Sequence, residues 1–217
     1  AIIYKKNCKI LREKLMKKLA IIGAGISGLF IANLFKRNTD YQITIYEKNN
    51  SISLEEGYGV QLSVNSIKLL NKIGFEKIQD KEKFTPKKIN FYSIKNSTKI
   101  CDLDISEFNS DNCNYTTLRR SILVNFLKKD LEDLIKTDYD ISKIEQIGKR
   151  IRLSFENDEI NICDYLIISD GVFSKSKRLL TNNRIKPKYN DTIAIRGILT
   201  KSPENIDNKN ISLFIGS

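Results

Sequence analysis

The segment Leu19-Ala-Ile-Ile-Gly-Ala-Gly-Ile-Ser-Gly28 decides the fold of this chain. Its first four residues are apolar, and such a short run is typical of a buried parallel strand. Three glycines follow at once, and the apolar residues from Ile26 to Phe35 have helical spacing. The segment therefore predicts a strand, a tight turn and a helix, which is how a βαβ unit begins.

The three glycines fit the pattern GxGxxG. Gly23 would permit the tight turn, Gly25 would let a pyrophosphate approach the backbone, and Gly28 would let helix and strand pack closely. Unpaired N–H groups at the start of the helix favour an anion. Glu47 is an acidic residue at the end of the second predicted strand. Its carboxylate would accept hydrogen bonds from ribose hydroxyls and repel a 2′-phosphate. The predicted dinucleotide site contains Gly23, Gly25, Ile26, Ser27, Gly28, Glu47 and Lys48.

Further apolar patterns continue the alternation of strands and helices. Ser63 to Gly74 predicts a capped helix that ends in glycine, and Ile122 to Ile135 predicts one long amphipathic helix. The predicted strands are Gln42 to Tyr46, the hairpin of Ile89 to Ile94 with Lys99 to Leu103, the hairpin of Ile151 to Phe155 with Ile160 to Cys163, and a buried strand from Leu166 to Ser169. The pattern predicts an α/β fold with a doubly wound parallel sheet.

The N-terminal residues need a separate interpretation. Five lysines and arginines lie within residues 1–15, and the uncharged stretch Leu19 to Phe35 follows soon after. Its glycines and its length disfavour both a signal peptide and a membrane span. Met16 stands just before the first predicted strand, so we interpret it as the translation start and residues 1–15 as a non-native or disordered extension.

Composition excludes several classes of function. The 217 residues contain no histidine, which removes imidazole bases, Ser-His-Asp triads and His-ligated metals. The net charge is +11, but no basic stripe with interleaved aromatics lies outside residues 1–15, which disfavours a nucleic-acid partner. The four cysteines are too widely spaced for a metal-ligand pair. Reduced thiols, the absence of a metal and a cytoplasmic location are expected.

Three further segments carry motifs of their own. Gly57 to Gly74 is similar to the stretch GxGIQLxPNAxxxLxxLG, and among its differences valine stands at position 64 where proline is usual. Arg120 to Leu127 is similar to RxxLxxxL, and Cys163 to Ser174 is similar to DLVIGADGxxS, with Ser169 where alanine is usual. Together with the glycine motif, these segments resemble, in order, the FAD-dependent aromatic hydroxylases, which are the salicylate hydroxylase-like group A flavoprotein monooxygenases. Thr192 to Gly197 also resembles the AWRG strand of that family, and its Arg196 would face either a carboxylated substrate or solvent.

The resemblance implies a domain organisation. Residues 16–180 would form a Rossmann-like FAD-binding domain of the glutathione reductase type. A hairpin inserted at about residues 85–110 would belong to the substrate region, and residues 181–217 would begin a mixed β-sheet substrate domain. The family's later segment GDAAHxxxPxxGxG has no match here, and the chain ends in the strand-like pattern Ile211 to Ser217. We therefore interpret the chain as a truncated N-terminal part, inactive by itself, of a longer enzyme.

The resemblance also implies cofactors, roles and chemistry. Arg120 would hold the pyrophosphate or ribityl region of FAD, and Asp170 with Gly171 would lie at the FAD with a role in nicotinamide use. NAD(P)H would reduce FAD, and a C4a-hydroperoxyflavin would hydroxylate a small aromatic substrate. The catalytic residues stay unknown because the flavin performs the difficult step.

Other functions remain open on the same residues. An NAD-dependent dehydrogenase would show the same glycine motif. A ubiquinone-biosynthesis hydroxylase or another FAD oxidoreductase would share the scaffold, and a quinone-precursor substrate would add peripheral membrane contact. A non-enzymatic nucleotide-binding module that lacks a catalytic half is the third alternative. Bound flavin would separate the flavoproteins from the dehydrogenase.

Overall fold

A computed structural model describes residues 16–37, 40–52, 58–182, 185, 187–191, 207 and 209–216. The chain divides into two compact units, and each is described by itself. The first unit covers Ala1–Leu54 and Leu127–Thr192, and the second covers Glu55–Phe126 and Ile193–Ser217. The extension predicted at residues 1–15 and the strand predicted at residues 192–197, with Arg196, lie outside the described residues.

Within its described residues the chain forms four α-helices and thirteen strands. The helices are α1 (Ile26–Lys36), α2 (Val64–Asn71), α3 (Arg120–Lys128) and α4 (Lys175–Leu180). The strands are β1 (Lys17–Ile22), β2 (Tyr41–Tyr46), β3 (Gly59–Leu62), β4 (Lys83–Phe84), β5 (Lys88–Ser93), β6 (Lys99–Asp104), β7 (Thr116–Arg119), β8 (Ile135–Lys136), β9 (Ile141–Ile147), β10 (Arg150–Phe155), β11 (Ile160–Cys163), β12 (Tyr165–Ile168) and β13 (Ile211–Ile215).

A parallel sheet organises the first unit. Its strand order is β12-β1-β2-β8, and Ile21 of β1 lies in register with Ile45 of β2 and Ile167 of β12. This arrangement confirms the α/β fold with a parallel sheet, and the sheet has a Rossmann-like topology. The strand predicted as buried from Leu166 is instead half-buried, because β12 is the last strand of the sheet within the described residues.

The centre of this sheet is buried by its own apolar residues. The last four residues of β1, Leu19 to Ile22, are each at most 4% exposed. Helix α1 packs on β1 and β2 and buries Leu29 and Ala32 completely. Burial of a leucine or isoleucine side chain contributes about 1.5–3 kcal/mol. The apolar strand and the apolar face of α1 thus fix the position of the turn between them.

A second, antiparallel sheet of the first unit has the order β11-β10-β9. The hairpin of β10 and β11 confirms the prediction, whereas β9 was not predicted from its irregular apolar pattern. Leu153, Phe155 and Cys163 from this sheet form one buried cluster with Ala20 and Tyr46 of the parallel sheet. The cluster therefore joins the two sheets of this unit.

The long helix predicted for residues 122–135 is wrong. Helix α3 ends earlier, and a turn and a short 3-10 helix lead into β8. The Leu127 carbonyl accepts a hydrogen bond from Asn33 Nδ2 at 2.7 Å, and Ile135 pairs with Ile45 in the parallel sheet. The local apolar spacing predicted a helix as far as Ile135. Contacts with Asn33 and Ile45, which are distant in the sequence, instead end the helix and place Ile135 in a strand.

The second unit contains two three-stranded sheets, with orders β13-β5-β6 and β3-β7-β4. The predicted hairpin is confirmed as β5 and β6, and β13 pairs with β5 in parallel. The helix predicted from Ser63 to Gly74 is confirmed as α2, with Ser63 at its N-terminal cap and Gly74 in the left-handed region at φ 95°. The assignment of a substrate domain to any of these residues stays a prediction.

The buried side chain of Tyr46 makes the stability of the first unit depend on pH in the alkaline range. Burial, together with the nearby Cys163 thiol, raises the pKa of the Tyr46 hydroxyl to about 12. Because this exceeds the unfolded value of 10.0, the neutral hydroxyl stabilises the folded state below about pH 10, and this contribution is lost as the pH rises through 12. Between pH 10 and 12, the unfolding free energy of the Tyr46→Phe variant should fall by about 2 kcal/mol less than that of the unchanged chain. Denaturant titrations would measure it, with exposed Tyr189→Phe as control.

Candidate dinucleotide-binding site

The turn between β1 and α1 is closed by backbone contacts at its first and third glycines. Gly23 has φ 99°, and its N–H donates to the Tyr46 carbonyl at 2.8 Å. A Cβ on Gly23 would lie 2.5 Å from the Ser169 carbonyl oxygen, and a Cβ on Gly28 would lie 2.0 Å from the Gly23 carbonyl oxygen. Both glycines are therefore required by the fold itself.

Gly25 differs from its two neighbours in the motif. A Cβ built on it meets no protein atom within 4 Å, and its φ of −77° with ψ of −178° suits any residue. Neither packing nor backbone conformation explains a glycine here. Open space above a backbone at the start of a helix is what a close-lying phosphate group requires.

The N-terminus of α1 has the character of an anion site. Gly25 is its cap, no side chain caps it among the described residues, and its first turn, which includes Ile26 and Ser27, holds no acidic residue. The first N–H groups of a helix lack partners within the helix. They carry partial positive charge and would donate to a bound phosphate.

Glu47 lies at the other wall of this turn. Its main chain continues the sheet, with its N–H donating to the Lys136 carbonyl at 2.8 Å. Its Oε2 accepts the Ala24 N–H at 3.0 Å, and its Oε1 accepts the Asn49 N–H at 3.1 Å. The carboxylate is thus held beside the glycine turn with further acceptor capacity, whereas the adjacent Lys48 is exposed.

The segment after β12 borders the same turn. Asp170 Oδ2 accepts the Ser176 N–H of α4 at 3.0 Å, while its Oδ1 is buried without a hydrogen-bond partner. Gly171 has φ 82° and open space at its Cβ position. Beside them lies a cavity of about 340 Å³, lined by Ile168, Ser169, Asp170, Gly171, Ser174, Lys177, Leu180 and Thr181. A buried carboxylate oxygen without a partner at a cavity is an acceptor available to a ligand.

Helix α4 is capped and anchored by side chains of the first unit. The Ser174 hydroxyl accepts the Lys177 N–H at 2.9 Å. Lys175 Nζ lies 2.9 Å from Asp140 Oδ2 and 2.6 Å from Glu156 Oε1. Burial opposes the charge of Lys175, but these two carboxylates outweigh it and raise its pKa. Because its N-terminus is already capped, α4 is the weaker candidate for binding phosphate.

Asp170 has a testable structural function in this arrangement. We expect Asp170→Ala to lower the unfolding free energy by about 1 kcal/mol, because the Ser176 N–H loses its acceptor. Asp170→Asn keeps one amide oxygen and should restore most of that loss. Urea titrations of the two variants would measure the difference. Equal unfolding free energies for Asp170→Ala and the unchanged chain would contradict the capping function.

The structure places the predicted residues in two groups. Gly23, Gly25, Ile26, Ser27, Gly28 and Glu47 surround one turn, and the segment of Asp170 and Gly171 borders it. Arg120 begins α3 in the second unit, with its N–H donating to the Tyr58 carbonyl at 2.8 Å. Its assignment to the cofactor stays a prediction. The residues described contain no group of three side chains suited to a metal ion.

Sequence reasoning missed the contact made by Ser169. It noted only that serine stands where the resembling family has alanine, yet the hydroxyl bonds to the end of β1. A polar residue next to the Asp-Gly pair was the available signal. In the described part of the chain, no helix has the length and apolar character needed to cross a membrane.

Comparison with known proteins identifies related folds. Residues 21–55 match the family described as NAD(P)-binding Rossmann-like domain. Solved structures with a similar fold include 2,6-dihydroxypyridine-3-hydroxylase from Arthrobacter nicotinovorans, with a TM-score of 0.67 and 16% identity over 81% of this chain. Another is HpxO of Klebsiella pneumoniae complexed with FAD and uric acid, with a TM-score of 0.63 and 18% identity over 75% of this chain.

The match covers only part of these neighbours. It spans 42% of the hydroxylase and 41% of HpxO, so it corresponds to about two fifths of their length. At these identities the likeness concerns the fold. One further neighbour, from Photorhabdus luminescens, is described as an FAD-containing monooxygenase, and HpxO was solved with bound FAD. The chain is therefore similar over residues 21–55 to an NAD(P)-binding Rossmann-like domain, and it shares an α/β fold with these solved structures.

Proposed function

We propose that this chain binds FAD and takes part in an NAD(P)H-dependent hydroxylation of a small aromatic compound. One observation carries the proposal, which is the open space above Gly25 at the uncapped start of α1. The fold does not need a glycine there, whereas a diphosphate does. The fold likeness to FAD-dependent hydroxylases supports FAD over other dinucleotides.

The residues of the first unit fit the adenosine half of FAD. The N–H groups of the α1 first turn, at Ile26 and Ser27, would donate to the pyrophosphate. Glu47 would accept hydrogen bonds from the ribose hydroxyls, because its carboxylate has acceptor capacity beyond the two N–H groups it already binds. Its negative charge would disfavour a 2′-phosphate.

The segment after β12 would serve the other half of the cofactor. Asp170 Oδ1, buried without a partner, would accept a hydrogen bond from a hydroxyl of the ligand. Gly171 leaves its Cβ position open beside it. By the resemblance of its motif, Arg120 would pair with the pyrophosphate or lie along the ribityl chain, as a guanidinium does with phosphate.

The protein groups of the described site would bind and orient the cofactor. Bound FAD would supply the redox chemistry, in which NAD(P)H is the reductant, one oxygen atom of O₂ enters the aromatic ring and the other becomes water.

Two neighbours suggest the class of substrate. One is named for 2,6-dihydroxypyridine and another was solved with uric acid. Both compounds are electron-rich, oxygenated nitrogen heterocycles. We propose a phenol or an oxygenated N-heterocycle as the substrate class of this protein, with a quinone precursor as the alternative that would bring it to a membrane surface.

Binding and turnover test the proposal separately. Calorimetric titration of the purified chain with ADP-ribose and FAD should show binding, with 2′-phospho-ADP-ribose at least about tenfold weaker. Protein expressed from its natural gene should carry flavin absorbance and oxidise NADH or NADPH faster when an aromatic compound of this class is added. Absence of both dinucleotide binding and flavin would overturn the proposal.

A second candidate function follows from the family match. The matching family is described as NAD(P)-binding, which favours a nicotinamide nucleotide in the glycine turn. Competition decides between the two, because one turn accepts one pyrophosphate. Displacement of ADP-ribose by NAD⁺ but not by FAD would favour the nicotinamide function, and the reverse order would favour the flavoprotein.

A further inference from the structure

Ser169 ties the end of β12 to the start of the glycine turn. Its backbone N–H donates to the Ile22 carbonyl at 2.8 Å, and its hydroxyl donates to the same carbonyl at 2.9 Å. The hydroxyl also lies 3.3 Å from the Gly23 carbonyl oxygen. One side chain thus reaches both the last residue of β1 and the first residue of the turn.

The same serine packs against both structural glycines of the turn. Its carbonyl oxygen would lie 2.5 Å from a Cβ on Gly23, and its hydroxyl oxygen would lie 2.8 Å from a Cβ on Gly28. Other hydrogen bonds of the turn come from the β2 side, where the Tyr46 carbonyl and the Glu47 carboxylate accept the Gly23 and Ala24 N–H groups. Ser169 therefore holds the turn from the β12 side.

We propose that Ser169 is a positioning residue that holds the glycine turn in the conformation that receives a pyrophosphate. This proposal rests on the proposed dinucleotide function. It adds the Ser169 hydroxyl, which that function does not require, because the motif DLVIGADGxxS has alanine at this position. A turn that is ordered before binding loses less conformational entropy when the ligand arrives. The hydroxyl also bridges the turn to the segment of Asp170, so the two predicted contact regions of the cofactor become one rigid surface.

Ser169→Ala separates phosphate binding from nucleoside binding. The variant should bind ADP-ribose about five- to tenfold more weakly, the effect of one lost hydrogen bond. Adenosine has the ribose hydroxyls but no phosphate, so its affinity should change by less than about twofold. Ser106→Ala is the control, because that hydroxyl donates to the Asp104 carboxylate in the second unit and does not bond to the turn. It should leave the ratio of the two affinities unchanged.

Hydrogen exchange provides a readout that needs no ligand. In the unliganded protein, Ser169→Ala should raise the exchange rates of the amides at residues 24–28 and leave those of β1 and β2 unchanged. Ser106→Ala should leave the exchange rates of residues 24–28 unchanged. If Ser169 only stabilised the fold, Ser169→Ala would raise the exchange rates throughout the sheet. It would also weaken the binding of adenosine and of ADP-ribose equally.

The outcomes distinguish this inference from the proposed function. Unchanged affinity ratio and unchanged exchange in Ser169→Ala would overturn the positioning function while the dinucleotide function stands. An unchanged chain that binds neither adenosine, ADP-ribose nor FAD would overturn the proposed function, and the cofactor function of Ser169 with it, even where the exchange difference persists. Loss of ADP-ribose affinity alone, together with faster exchange of the turn, would support both.

Discussion

Gly25→Val is expected to abolish detectable binding of FAD and ADP-ribose while the chain still folds. A Cβ at Gly25 meets no protein atom within 4 Å, and its backbone angles are ordinary, so the substitution carries no packing penalty within the protein. The valine would instead fill the space through which a pyrophosphate approaches the α1 N–H groups. We expect affinity to fall at least about 100-fold, or about 2.7 kcal/mol, in calorimetric titrations.

Two other glycines supply the controls for this prediction. Gly59→Val places the same side chain at a second open position, in strand β3, and should leave ADP-ribose affinity unchanged. Gly28→Val forces a Cβ to within 2.0 Å of a backbone oxygen and should lower the thermal midpoint markedly. If Gly25→Val binds ADP-ribose as tightly as the unchanged chain, the turn is not the phosphate site.

The parts of the fold that the sequence predicted correctly are local. The segment from Leu19 to Gly28 combines an apolar run, glycines at fixed spacing and a helical pattern, and each of these determines structure within a few residues. The two predicted hairpins are likewise set by turns between short alternating strands, at residues 94–98 and 156–159. Such elements need little information from the rest of the chain.

The predictions that failed depended on distant partners. The apolar spacing that suggested a helix through Ile135 is interrupted because that residue pairs with Ile45 in the parallel sheet. Strand β9 has no clean alternation and is stabilised by pairing with β10. The Ser169 hydroxyl can donate to the Ile22 carbonyl only because β12 pairs with β1 in the folded chain. Sheet order is a long-range property, and no local pattern encodes it.

Glu47→Ala is expected to weaken FAD and ADP-ribose binding by about 1–3 kcal/mol, or about 5- to 150-fold. Two effects add in this variant. The ribose hydroxyls lose a charged acceptor, and the Ala24 N–H loses the Oε2 atom that holds the turn at 3.0 Å. Glu145→Ala is the matched control, because that half-buried glutamate lies in β9, pairs with Lys143 and should leave binding unchanged.

Glu47→Gln separates the two effects of the carboxylate. The amide oxygen can still accept the Ala24 N–H, so the turn should keep its order, while the charge is lost. We expect an ADP-ribose affinity between those of Glu47→Ala and the unchanged chain. Equal losses in Glu47→Gln and Glu47→Ala would mean that charge dominates and that the bond to the turn contributes little.

Discrimination against a 2′-phosphate reports the charge of Glu47 directly. Two negative groups within a few ångströms repel each other, and removing one of them relieves the repulsion whatever happens to the turn. Both Glu47→Ala and Glu47→Gln should therefore reduce the difference in affinity between ADP-ribose and 2′-phospho-ADP-ribose. Only Glu47→Ala also removes the acceptor of the Ala24 N–H. If the gap stays the same in both variants, the ribose lies elsewhere and Glu47 serves only to hold the glycine turn.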